Sequence, residues 1–510
     1  MKKLLFAALI VLGSSVAFCP VRAGEALCKS PKPDSSLRSL LPDCWWQKTA
    51  GLKVVTLKKN LKYGHEISLD PTEVSKQLDA IRAQAFQAIE IFAPAEGLYA
   101  SNGLDTKNHY RIDPELGTME DFRRLVRIAH EKTIAVIVFI NLGYFSVEAP
   151  DWIQACKDKK AGKNTDRVKW FLWSDKADTP PPPTQEDIYV TQADRDRSKE
   201  SWGWKFSELA GSFFWARWRA NDQGYNLGKV IPLPQLNWGS KDWREEAERI
   251  VRFWMDTGLD GMLIDAPLCY PFQTWEHNRR IVDVVKEYGN VLIDPEGGRD
   301  PAWITESGYN CIHEYGLSFN PDTYQQQKDV IVESIETGNP RDIETRLKRY
   351  HDVMLDAGAV LYARGLRGFA GDLPKRHLQQ AIYAGIGDII VYTKWEGNIP
   401  DAEETRILQM KSRHLALHPV ASRRKLVTND DSKYYAFLKT SRDGSERVLA
   451  VYNFQPSPQI VRVEFSVASA SGLIDLSNLE MTPRPSQFAP LTVELPAYGY
   501  RFFNVIAAKE

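Results

Sequence analysis

Residues Thr118–Ile140 read TMEDFRRLVRIAHEKTIAVIVFI, a capped amphipathic stretch followed at once by a run of apolar residues. Thr118 is placed to accept from the free N–H groups of a first helical turn, so the spacing predicts a helix over Met119–Lys132. Ile134–Ile140 then carries no polar residue on either face. That pattern fits a strand covered on both sides, as in a parallel sheet under helices. The same alternation continues outward from about Val54. Ala88–Phe92, apolar apart from Glu90 and ending at Ala93-Pro94, reads as a strand. Further on, Trp243–Asp256, Ile281–Tyr288, Leu347–Asp356 and Leu378–Ala384 read as helices. Between them Gly261–Ile264, Val291–Ile293, Ala359–Tyr362 and Asp388–Tyr392 read as strands. Repeated units over about 350 residues favour a (β/α)8 TIM barrel over an open doubly wound sheet.

Two regions break the rhythm. Residues of about 144–235 hold Pro180–Pro183, many charges and few periodic runs, and are expected to be a long loop insertion after the third strand. From about Leu415 the chain becomes short alternating segments, Tyr434–Lys439, Arg447–Asn453, Ile460–Phe465, Leu491–Leu495 and Tyr500–Val505. These predict a C-terminal antiparallel β-sandwich over 415–510, behind a barrel spanning 24–414.

Composition limits the function. The 510 residues are 43% hydrophobic and 26% charged, as in a globular protein, with a formal net charge of −1. So balanced a charge gives no electrostatic handle on nucleic acid. Lys2 and Lys3 precede an apolar run, Leu4–Leu12, and the stretch ends Val21-Arg22-Ala23, the pattern of a signal peptide cleaved after Ala23. Phe18 before Cys19 argues against lipidation. No later segment approaches the ~20 apolar residues of a membrane span. A periplasmic or secreted location is therefore expected. It allows disulfides, with Cys28 and Cys44 the nearest plausible pair, whereas the cysteine spacing matches no zinc motif. No Gly-rich run meets a Lys-Ser/Thr pair, which makes a phosphate loop improbable.

Polar residues at the C-terminal ends of barrel strands are the default catalytic candidates. Asp265 ends the strand Gly261–Ile264, and Glu296 follows Val291–Ile293 within a sharp Asp294-Pro295-Glu296-Gly297-Gly298 turn. Two acids across a cleft are what glycosidic cleavage needs: one carboxylate as nucleophile or base, one protonated acid for the leaving oxygen. Glu314 and His313 near the next strand end, and Trp395 after Asp388–Tyr392, are further candidates for contact with substrate.

Several motifs in order resemble the α-amylase superfamily (glycoside hydrolase family 13). They are Gly103-Leu104-Asp105 with His109–Phe122, the trio Ser146, Glu148 and Pro150, the region Trp170–Asp175, Pro234–Trp238, and Phe253-Trp254 through Asp265. The resemblance covers roughly residues 50–400. It implies a retaining double displacement on an α-linked oligo- or polysaccharide, with Asp265 as nucleophile and Glu296 as general acid/base.

The same comparison exposes departures around that pair. Leu263 stands where the family has an arginine, Leu104 where it has a stacking tyrosine, and Tyr144 where it has a sugar-binding histidine. Arg364 is the nearest counterpart of the third carboxylate. Tyr144, Arg364 and Arg367 would then rebuild the −1 subsite, and a cationic rim would suit a substrate bearing a carboxylate or sulfate. Gly143 and Gln235 replace the family's calcium-binding asparagine and aspartate, so neither metal nor cofactor is expected. The departures also leave open a catalytically inactive relative that binds carbohydrate or another protein.

Overall fold

The computed structural model describes residues 41–58, 64–97, 103–184, 203–220, 231–296, 301–312, 317, 328–364, 369, 371–394, 399–465, 470–483 and 490–507. Eight parallel strands form the barrel: β1 Gly51–Thr56, β2 Ala88–Phe92, β3 Ala135–Ile140, β4 Gly261–Ile264, β5 Leu292–Pro295, β6 Cys311–Ile312, β7 Val360–Arg364 and β8 Ile389–Tyr392. Hydrogen-bonded neighbours run β5-β4-β3-β2-β1-β8-β7-β6. The remaining seam, between β5 and β6, is spanned by Asn310. Its Oδ1 accepts from Ile293 N (2.8 Å), its Nδ2 donates to Val291 O (2.8 Å), and its backbone N donates to Ile293 O (3.3 Å).

The unbroken apolar runs follow from this closure. Along β3, Ala135, Ile137 and Phe139 fill the barrel interior while Val136, Val138 and Ile140 pack outward under the helices. A strand with two dry faces needs apolar residues at both parities. The helix Met119–Glu131 opens with a capping box, in which Thr118 Oγ1 accepts from Asp121 N (3.2 Å) and Asp121 Oδ2 from Thr118 N (2.9 Å). Beneath the barrel, Trp45 and Trp46 plug the floor, and Trp45 Nε1 donates to Asn290 O (3.2 Å).

At Gly261 β4 leaves no room for a side chain. An added Cβ would lie 2.1 Å from Leu292 O and 3.0 Å from Ile137 Cγ2. The clash is with paired backbone, which cannot swing away, so Gly261→Ala is expected to cost at least ~2 kcal/mol of stability. Urea unfolding at constant m-value measures it.

The inserted region carries structure of its own. The helix Pro150–Lys160 and a four-stranded antiparallel sheet, Trp173–Ser174, Gly203–Ser207, Ser212–Ala220 and Ile231–Pro234, form a small unit after β3. Aromatic contacts bind it: Trp152 stacks on Trp173 (5.3 Å, 7°) and meets Phe214 edge-on at 4.8 Å. Charged residues between these aromatics hide the strand period in the sequence. The predicted helix Leu347–Asp356 is one segment of a longer helical run, Ile343–Ala357, which widens to a π turn at Leu347–His351. There His351 Nε2 reaches Asp388 Oδ1 at 2.6 Å.

The C-terminal domain is antiparallel. A six-stranded sheet runs Ser422–Leu426, Tyr434–Thr440, Arg447–Asn453, Tyr500–Ala507, Ala470–Asp475 and Met481–Pro483 in spatial order. A separate pair, Gln459–Val463 with Leu491–Leu495, shares an apolar core with it. Near this junction Lys411 is fully buried, its Nζ donating to Thr49 O at 2.8 Å. Burial pushes its amine down to about 7, against a smaller upward pull from Asp388. From about pH 7 up to the ordinary lysine range, the unfolded chain holds a proton here that the folded chain does not. Raising pH through that window therefore favours the fold. Melting temperatures from pH 7 to pH 9 should rise more steeply in the wild type than in Lys411→Met.

Candidate active site

Parallel register sets the site. β4 and β5 pair from Gly261↔Leu292 to Ile264↔Pro295, so the next residues on each strand, Asp265 and Glu296, emerge side by side at the C-terminal mouth. The ladder runs one residue beyond the strands: Asp265 N donates to Ile140 O (2.8 Å) and Glu296 N to Ile264 O (2.9 Å). The Asp265 residue is 6% exposed. Glu296 Oε2 accepts from the backbone N of Ala266 at 3.1 Å, which brings its carboxylate against the turn that carries Asp265. Ala266 holds a left-handed conformation (φ 38, ψ 49) ahead of Pro267. A non-glycine residue stays there only where surrounding contacts impose it.

Tyr144 lies just past β3 at the same mouth, buried, and bridges Gln235 in an antiparallel contact. Arg364 ends β7 at the corresponding level. Its side chain, and all of His313, Glu314, Arg367 and Trp395, lie outside the described residues. Leu263 faces the barrel interior one layer below Asp265, and Leu104 packs partly buried against that interior cluster.

Further groups at the site carry little sequence signal. Asp294 lies one layer beneath Glu296 and is fully buried. Burial, with the nearby Asp294 charge adding to it, pushes the Tyr309 and Tyr362 hydroxyls and the Cys311 thiol above their usual ranges. The spacing of two from Glu296 in a strand places Asp294 on the same face, which is the one hint the sequence holds. Glu90 is likewise fully buried, between Ala88 and Phe92 on β2. Lys58, just beyond β1, donates to Gly103 O at 2.9 Å; burial lowers its amine to about 8 despite Asp105, Asp113 and Glu96. The fourth, Tyr270, belongs to the turn after Asp265. Its hydroxyl donates to Asp265 O and accepts from Leu142 N (3.1 Å).

The calcium site implied by the resemblance does not fit these residues. A Cβ at Gly143 would stand 2.2 Å from Tyr270 Cε1 and 2.6 Å from Cδ1, so the tyrosine ring fills the space of an asparagine side chain. Gln235 offers a neutral amide, whose Oε1 and Nε2 are both buried without a hydrogen-bond partner, where a hard cation prefers a carboxylate. Among the described residues, no group of three or more His, Cys, Asp or Glu side chains could hold a metal. Cys44 is disulfide-bonded, while Cys156, Cys269 and Cys311 are buried thiols. Cys28 lies outside the described residues.

Comparison with known proteins agrees with this architecture. Residues 70–307 match the model of the alpha amylase catalytic domain. An alpha-glucosidase of Schizosaccharomyces pombe is 22% identical over 351 residues, 62% of this chain and 56% of that protein. A trehalose-6-phosphate hydrolase of Bacillus subtilis is 24% identical over 222 residues, 43% of this chain and 35% of that protein. The chain thus spans about half, or less, of the length of these curated relatives. Among solved structures, an alpha-amylase from H. orenii superposes with a TM-score of 0.66 at 15% identity, over 90% of this chain and 99% of that one. Trehalose-6-phosphate hydrolase of Bacillus licheniformis gives 0.64 at 14% identity, over 90% of this chain and 100% of that one. The match to the alpha amylase catalytic domain thus runs from the helix after β1 to the helix after β5, and the solved structures share the fold of the chain as a whole.

Proposed function

We propose that the protein is an exported glycoside hydrolase that cleaves or transfers α-glycosidic bonds of an oligo- or polysaccharide by a retaining double displacement. One observation carries the reading: the Glu296 carboxylate hydrogen-bonds the backbone of Ala266, next to Asp265, so both acids serve one opening. In the first step the Asp265 carboxylate attacks the anomeric carbon as its bond to the leaving oxygen breaks, and Glu296 delivers its proton to that oxygen. A glycosyl ester on Asp265 results. In the second step Glu296, now ionised, takes a proton from water, whose oxygen attacks the same carbon and releases Asp265. A sugar hydroxyl in place of water gives transfer.

Support for export comes from the basic and apolar N-terminus and from the disulfide at Cys44, which fits an oxidising compartment. The −1 subsite is rebuilt, with Tyr144 in the place of a histidine and Arg364 in the place of an acid. An arginine at that rim favours substrates with a carboxylate or sulfate. Digestion of a panel of neutral and anionic α-linked oligosaccharides, followed by NMR of the fresh products, tests the reading. Products of α configuration at first release are the expected result. Binding without cleavage across the whole panel would replace the enzyme by a carbohydrate-binding relative, and first products of β configuration would establish inversion.

A further inference from the structure

We infer that Tyr270 is a positioning residue for Asp265, its ring filling the space beside Gly143 and its hydroxyl bracing the strand ends through hydrogen bonds. This rests on the proposed role of Asp265. The ring of Tyr270 lies against Gly143 so closely that no side chain fits at that position. Its hydroxyl joins two strand ends, accepting from Leu142 N after β3 and donating to Asp265 O after β4. Asp265 is therefore held from both sides, by Ile140 O at its amide and by Tyr270 at its carbonyl.

The brace is itself held. Trp238 stacks on the Tyr270 ring (5.5 Å between centroids, 13° between planes). Trp238 Nε1 donates to Leu142 O (3.1 Å), and its backbone N donates to Pro271 O (3.1 Å). Gly143 O accepts from Leu236 N at 2.8 Å. The turns after β3 and β4 and the segment leading to the helix Lys241–Met255 are thus cross-tied through one buried tyrosine–tryptophan pair. Burial, with the Asp265 charge adding to it, keeps the phenol far above its ordinary range, so it stays a neutral donor at any working pH. A donor fixed to the Asp265 carbonyl also restrains the adjoining left-handed Ala266, whose N–H aims at Glu296. The single hydroxyl accordingly sets the relation between the two acids.

Tyr270→Phe removes the hydroxyl and keeps the ring. With 4-nitrophenyl α-glucoside as probe, kcat is expected to fall about ten- to a hundredfold with KM changed less than twofold. Hydrogen exchange at Leu142 and Ala266 is expected to quicken in the same variant. Wild-type melting temperature and turnover are expected to be the same in EDTA and in millimolar calcium. Unchanged kcat together with unchanged exchange in Tyr270→Phe would overturn the brace, as would a lower wild-type melting temperature in EDTA. If the wild type leaves the probe intact, the exchange and chelation results decide alone. Full turnover in Asp265→Asn would instead overturn the catalytic reading, without touching those two measurements.

Discussion

Asp265→Asn is expected to reduce turnover by at least roughly 10³-fold while leaving the melting temperature nearly unchanged. The substitution preserves side-chain size and both backbone contacts of the residue, to Ile140 O and from Tyr270. On the proposed mechanism it removes only the negative oxygen that would attack the anomeric carbon. An amide is far too weak a nucleophile to form the ester, and it does not offset the positive charge that develops on the sugar ring. Both deficits act in the transition state, so kcat and kcat/KM should fall together. Circular dichroism and thermal melting separate this from misfolding, and turnover equal to the wild type would falsify the assignment of Asp265.

Glu296→Gln should separate the two halves of the reaction. Gln keeps an oxygen for the Ala266 N–H, so the turn should survive. What it lacks is the proton for the leaving group. For an alkyl or sugar leaving group the loss should be about 10²- to 10⁴-fold. For a nitrophenyl leaving group, which departs without help, the first step should be nearly normal and the ester should then accumulate, because no base activates water. A burst of nitrophenol followed by slow turnover, with the alkaline limb of the pH–rate profile lost, is the expected signature. Equal losses on both leaving groups would move Glu296 from acid/base to a structural role.

The barrel was legible because its strands must be dry on both faces. Ile134–Ile140 and Ala88–Phe92 have no competing reading once helices are seen between them, and Thr118 marks a start by capping chemistry that is local. The inserted unit after β3 was not legible, since charged residues hide the period of its strands and the unit is held together by contacts such as Trp152 on Trp173, which no neighbouring residues encode. The π turn at Leu347–His351 was equally hidden, for it accompanies a contact to Asp388, which is 37 residues on from His351.

For the site, the amino-acid order alone pointed to the strand ends: strands read to Ile264 and Ile293 put Asp265, and Glu296 in the turn that follows, at the mouth wherever the chain closes into a barrel, while the structure carries the second strand on to Pro295. Only the tertiary structure decided how those two are held. The register of β4 against β5, the strained Ala266 that aims its amide at Glu296, and the Tyr270 ring in the space above Gly143 all depend on atoms brought together across the barrel rather than along the chain. The chemistry of each side chain is written locally, but the distance between two of them is a property of the closed sheet.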